Sequence, residues 1–212
     1  MEAFWNMEKY FNVYPGTPPL GVKGDYRCSV HYGNKYRLDE ARRQFSKPVV
    51  DIEIIIQYTV EFLGKLGIEI NNPEEIVVKD PRNIDYERIQ EKNKLVSPKD
   101  IVWMKFTESG HLGVVATSND VNFDIPSNSS DYDIKEWRYN PYKRKNELVW
   151  KHTTSGILIH QLGESWNTSF VLVFPLGNIP SGYERGDIER AVGNYLISNG
   201  KIPIIDFYSH NY

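Results

Sequence analysis

The sequence predicts an α+β fold, in which a mixed sheet with an antiparallel meander and a C-terminal βαβ unit is flanked by two main helices. Three observations predict it. Residues 51–66 carry apolar side chains at helical spacing. From Asp100 onward, short β-branched and aromatic runs alternate with turns. Residues 170–210 read as strand, helix, strand.

The elements follow in chain order. Residues 1–47 are aromatic and broken by Pro15, Gly16, Pro18, Pro19 and Gly21, so they read as an irregular arm packed on the domain by its rings. In 51–66, Glu53, Gln57, Glu61 and Lys65 form a polar stripe, and Ile52, Ile55, Ile56, Val60, Leu63 and Leu66 cover the rest. Asp51 suits the start of this helix and Gly67 a left-handed end. The charged stretch 71–99, punctuated by Pro73, Pro81 and Pro98, leaves room for a short exposed helix from Asp85 to Asn93. Glu91, Lys92 and Lys94 lack the Glu-x-Lys spacing of a nuclease core.

Ile101 to Phe106, a turn at Glu108-Ser109-Gly110-His111, and Leu112 to Ala116 read as a hairpin. Further strands are expected at 148–150, 157–159 and 170–174. The last is a continuous apolar run suited to burial on both faces. Ile188, Ala191, Val192, Tyr195 and Leu196 follow the one-face helical template, with Gly200 as a stop, and 202–207 is apolar again. The two strands of this βαβ unit are expected to be parallel, as neighbours or with one strand between them. Val171, Val173, Ala191, Val192, Leu196 and Ile204 are the expected core.

Composition bounds the function. A chain of 212 residues with 40% hydrophobic and 25% charged residues is read as a single folded domain over 1–212. The lone cysteine, Cys28, allows no internal disulfide and no cysteine-based zinc site. The amino-terminal residues lack the pattern of a signal peptide, and no apolar run is long enough to span a bilayer, so a cytoplasmic setting without membrane association is expected. A net charge of −3 and a pI near 6.0 argue against bulk nucleic-acid binding. Aromatic residues reach 13%, which points to a ring-rich surface or an interface.

Two places carry candidate chemistry. The first is the exit edge of the βαβ unit, outside the carboxyl ends of its strands. There a helix start and Arg185 suit an anion, and Asp206 and His210 are candidate catalytic residues for proton transfer on a phosphate-containing substrate. Neither a Walker A nor a dinucleotide fingerprint accompanies them. The second is the long connection 117–146. Its first half holds Asp120, Asp124, Asp131 and Asp133, without the glycine and closing glutamate of a calcium loop. Its second half holds Trp137, Arg138, Tyr139, Tyr142, Lys143 and Arg144, a composition suited to an interface or to a nucleotide-like ligand. His152 and His160 would lie about 26 Å apart on one strand and cannot share a metal. His152-Thr153-Thr154 has no second His-x-Thr copy, which excludes a two-copy phosphoesterase motif. No motif names a cofactor.

With no catalytic motif present, the expectation is a soluble binding protein that recognises a macromolecule or a charged small ligand, its partner a protein or a nucleotide-like ligand. In size and composition alone the chain is similar to immunity proteins of toxin systems and to phage inhibitors of host defence. A phosphate-directed hydrolase or transferase at the exit edge is the alternative.

Overall fold

Apolar runs between residues 77 and 207 become the strands of one five-stranded mixed sheet, seen in a computed structural model that describes residues 7, 10–11, 35–117, 121–123, 125, 135–140, 144–150 and 154–207. In chain order the described elements are α1 (Lys35–Phe45), α2 (Ile52–Lys65), a 3-10 turn at Pro73–Glu75, β1 (Val77–Val78), α3 (Tyr86–Asn93), β2 (Ile101–Phe106), β3 (Leu112–Thr117), β4 (Lys135–Asn140), β5 (Lys145–Trp150), α4 (Thr154–Gln161), β6 (Val171–Pro175), α5 (Arg185–Ser198) and β7 (Ile204–Phe207). The sheet order is β1-β6-β2-β3-β7, and β4 and β5 form a separate two-stranded ribbon.

Within the sheet, β2 pairs antiparallel with β3 and with β6, and β3 pairs parallel with β7. It follows that β6 and β7 run in the same direction, as a βαβ unit requires. They are separated by two strands, β2 and β3, rather than by one or none. The β2–β3 hairpin occupies the centre first, and α5 must carry the chain across both of its strands to reach a free edge.

Both faces of the sheet are covered. Along β6, Leu172 and Phe174 join one buried cluster with α2 and α5, while Val171 and Val173 join a second cluster with Ala41 of α1 and Ile157, Leu158 and Ile159 of α4. The six core residues named from the sequence are all buried. Alternation along a strand sends neighbours to opposite faces, so a fully apolar strand demands a layer on each side.

Residues 157–159 correct the expectation of a strand, since they lie in the helix α4. A short apolar run does not distinguish a buried strand from a buried helix by period. Here all three side chains are buried, so consecutive positions of the helix are enclosed by protein while His160 and Gln161 stay half-buried. Its end is explicit. The Gly163 N–H donates to the His160 carbonyl, the Glu164 N–H to the Ile159 carbonyl, and Gly163 takes φ 73°. That is a Schellman ending, and α2 closes in the same way at Gly67, with φ 80°. Gly200 does not play this part for α5. Lys201 takes the left-handed conformation instead, and a Cβ on Gly200 would lie 2.7 Å from Ile202 Cδ1. Asp51 sits at the cap of α2 without a side-chain hydrogen bond, whereas the Asp85 carboxylate accepts from the Arg88 N–H at 2.9 Å and caps α3.

The segment read as an irregular arm contains α1, whose apolar positions Leu38, Ala41 and Phe45 pack against the second cluster. Met7, Tyr10 and Phe11 are buried in the first cluster, so the Tyr10 and Phe11 rings pack on the domain. Tyr10 sets its edge against Phe62 and Tyr195, and its carbonyl accepts from Asn194 Nδ2 at 2.6 Å.

The helices α2 and α5 are joined by a polar trio. Tyr195 Oη donates to Glu61 Oε1 at 2.9 Å, and Lys65 Nζ donates to Glu61 Oε1 and, at 3.1 Å, to Tyr195 Oη. The Lys65 ammonium, followed by the Tyr195 hydroxyl, holds the Glu61 carboxyl below the usual carboxylate range. Glu61 first and Tyr195 second hold the Lys65 ammonium above its usual value, while burial pushes the Tyr195 hydroxyl up. A lowered acid stabilises the fold above its unfolded pKa, and that gain is lost as pH falls through the folded value. A raised base stabilises below its unfolded pKa and loses the gain as pH rises through the folded value. The stability advantage of the native chain over Glu61→Gln should therefore be level between about pH 6 and 9 and shrink below about pH 4. Urea melts across that range check this, and a constant difference down to pH 3 contradicts it. Because both side chains are well exposed, the whole effect is small.

One close approach organises the hairpin. A Cβ on Gly113 would lie 2.4 Å from Cζ3 of Trp166, whose backbone bridges to Thr107. Gly113→Ala is expected to cost about 1–3 kcal/mol by overpacking. The cost should fall in a Trp166→Phe background, which removes the clashing ring atoms. A double-mutant cycle in chemical denaturation checks the coupling, and strictly additive costs contradict it.

Candidate functional site

At the exit edge the strands deliver their ends as the topology requires, but the groups expected there are already engaged. Arg185 begins α5, and its Nη1 lies 3.9 Å from Asp100 Oδ1, beside the start of β2. The first turn of α5 is closed by its own acids: Asp187 Oδ2 accepts from the Glu184 N–H at 2.9 Å, and the Glu184 side chain accepts from the Asp187 N–H. A capping box of this kind occupies the Glu184 and Asp187 amides and adds negative charge beside the helix start, which disfavours an anion there. Asp206 lies on β7 in register with Val114 and is buried. The two intervening strands put the β6 exit about 14 Å from β7, at about 4.8 Å per strand step, so the start of α5 and Asp206 belong to different parts of the edge. His210 lies outside the described residues.

Sequence reasoning missed a buried acid at this edge. Glu189, one turn into α5, accepts from the Thr117 N–H at 3.1 Å and from Thr117 Oγ1 at 3.2 Å. It ties the helix to the last residue of β3. The available signal was a lone carboxylate next to the apolar stripe of α5. Glu189→Ala leaves the half-buried Thr117 donors without this acceptor, so it should cost about 1 kcal/mol, with Glu189→Gln losing less. Thermal melts of the two variants test the order, and equal losses would remove the acceptor role.

The hairpin turn gathers a second polar group. Ser109 Oγ lies 3.0 Å from His111 Nδ1, 2.9 Å from Glu164 Oε2 and 2.9 Å from Thr107 Oγ1. His111 Nε2 donates to the Lys47 carbonyl at 3.2 Å in the tautomer that this contact favours, and the ring packs on Phe45. A serine beside a histidine is the arrangement of a nucleophile and its base. The nearby backbone donors are nevertheless spent. The Gly110 N–H points to the Thr107 carbonyl at 3.0 Å, the His111 N–H to Thr107 Oγ1 at 3.1 Å, and the Ser109 N–H to Glu164 at 3.4 Å. With a carboxylate against the hydroxyl and no amide left for an oxyanion, the cluster braces the turn against α1 and the α4–β6 loop.

In the centre of the sheet, Lys105 of β2 is buried. Its ammonium donates to the Asn122 carbonyl and lies 4.1 Å from the ring centroid of Trp166, with Phe123 and Trp103 slightly farther away. Three rings and a carbonyl compensate part of its lost hydration.

The basic and aromatic half of the 117–146 connection forms structure of its own. Strands β4 and β5 pair in unbroken antiparallel register from Lys135↔Trp150 to Asn140↔Lys145. Trp137 and Tyr139 are two residues apart, share one face of the ribbon, and are 69% and 63% exposed. Arg144 at the turn and Lys145 beside it are exposed, with Arg144 at φ 49°. Arg138 is placed by its backbone between the two rings, in register with Glu147. Tyr142 and Lys143 lie outside the described residues. From 137 to 145 the sequence has four basic residues and no acidic one.

Among the described residues no group of three His, Cys, Asp or Glu side chains is placed to hold a metal ion, and no helix is long and apolar enough to cross a membrane. Comparison of the chain with protein-family models, with curated proteins and with solved structures returned no match.

Proposed function

We propose that this is a binding protein that recognises an acidic macromolecule through the β4–β5 ribbon. The observation that carries the reading is the pair of exposed rings, Trp137 and Tyr139, side by side on a regular strand next to a basic turn. Isolated exposed apolar residues are ordinary, but adjacent large rings forgo about 1.5–3 kcal/mol each of available burial, and such surfaces mark interaction sites. Aromatic residues combined with arginine form the energetic centre of interfaces. The setting is cytoplasmic on this reading, in keeping with a single cysteine.

The alternative, a phosphate-directed hydrolase or transferase using Asp206 and His210, has less behind it. Arg185 faces Asp100, and the start of α5 is closed by Glu184 and Asp187.

The test compares the native chain with a Trp137→Ala/Tyr139→Ala variant, each purified from its own host and examined by native mass spectrometry. The native chain should carry a bound partner that the variant loses, and the melting temperatures should agree within about 2 °C. Loss of an interface anchor typically weakens binding about thirtyfold or more. A partner retained equally by both proteins overturns the assignment of the ribbon.

A further inference from the structure

We infer that the occupant of the ribbon is a single-stranded nucleic acid, an inference that rests on the reading of β4–β5 as the recognition surface. The geometry of the two rings supplies the argument. Residues two apart on a strand are separated by about 6.7 Å along its direction. Bases in a duplex are stacked at roughly 3.4 Å, half that separation. Two successive bases can each cover one ring only if they have been drawn apart, and a single strand opens to this spacing without breaking base pairs. Aromatic rings bind unstacked bases irrespective of sequence, because every base presents a flat π-face. Trp137 and Tyr139 point to the same side and are largely exposed, so both faces of the task are met by residues on one regular strand.

Charge agrees with this occupant. The sequence from 137 to 145 holds basic residues and no acid, Arg144 is exposed at the turn beyond the Tyr139 end of the ribbon, and Arg138 stands across from Glu147 in the register. The chain as a whole carries a net charge of −3, so attraction is confined to this strip. A duplex, which binds chiefly through broad phosphate contacts, gains little from so narrow a patch. A few nucleotides of an extended strand need no more than two rings and two or three cations.

The test is fluorescence anisotropy of the full chain with end-labelled oligomers of dT and rU about fifteen nucleotides long, and with a duplex of the same length, in about 50 and about 200 mM salt. Both single strands should bind in the micromolar range and the duplex at least tenfold more weakly. Trp137→Ala and Tyr139→Ala should each weaken the single strands about tenfold, while Trp137→Phe, which keeps a ring, should retain most of the affinity. Arg144→Ala should lower the salt slope by about one. Absence of binding to either oligomer, or binding indifferent to both ring substitutions, overturns the inference. If that result accompanies a co-purifying acidic protein that the double ring variant loses, the ribbon remains the recognition surface and its partner is a protein. If no partner is lost either, the ribbon reading falls as well.

Discussion

Every position of β2 is buried, and that constraint orders the molecule. A strand with no exposed position needs neighbours on both edges and a layer on both faces. Its own hairpin partner, β3, supplies one edge and β6 the other. The faces are closed by α2 and α5 on one side and by α1 and α4 on the other. Lys105 is the exception within this strand, and its surroundings show how the exception is contained. Trp103, Trp166 and Phe123 place rings around the ammonium, and Gly113 leaves the room in which Trp166 reaches it. The strand β2 therefore keeps its one charged residue by spending aromatic surface on it.

Much of this order could be read from the sequence because it is written in local period. The one-face pattern of 188–196 and the polar stripe of 53–65 both appear as helices, and the hairpin after Asp100 lies where the β-branched runs put it. The β6–α5–β7 unit has the expected direction. Its strand order was not legible, because nothing within 170–207 records that an earlier hairpin has taken the adjacent places. The helix α4 is more instructive. Its Ile-Leu-Ile run has no usable period, yet Leu162-Gly163 repeats the Leu66-Gly67 ending of α2, and both close as Schellman motifs. The stop signal carried the information that the apolar pattern lacked. The helix α1 escaped notice for the opposite reason, since its apolar positions are few and its charge is high.

The candidate groups divide along the same line. Trp137, Arg138, Tyr139 and Arg144 announce themselves by composition, and the register of the ribbon then orders the first three along one strand. Glu189 and the Ser109–His111 pair give almost no warning, because each acquires its meaning from a residue far away in the chain. Thr117 supplies the partners of Glu189, and Glu164 and Lys47 those of the turn. A side chain whose role depends on a long-range contact leaves no period to detect.

The contrast between these contacts and the ribbon is the reason to favour binding over catalysis. Reactive arrangements need groups whose hydrogen-bonding capacity is held open for a substrate. In the body of the protein the described polar clusters turn inward on the fold. Glu184 and Asp187 cap the helix that carries them, Asp100 faces Arg185, and Ser109 shares its hydroxyl between an imidazole and a carboxylate. Each contact fastens one segment to another and leaves little for chemistry at that point. The ribbon reverses this economy, because its strands pair along one edge with each other and leave two large rings and Arg144 exposed. Stability gains nothing from that exposure. A partner that covers the rings would gain from it, and that difference is what supports the proposed binding role.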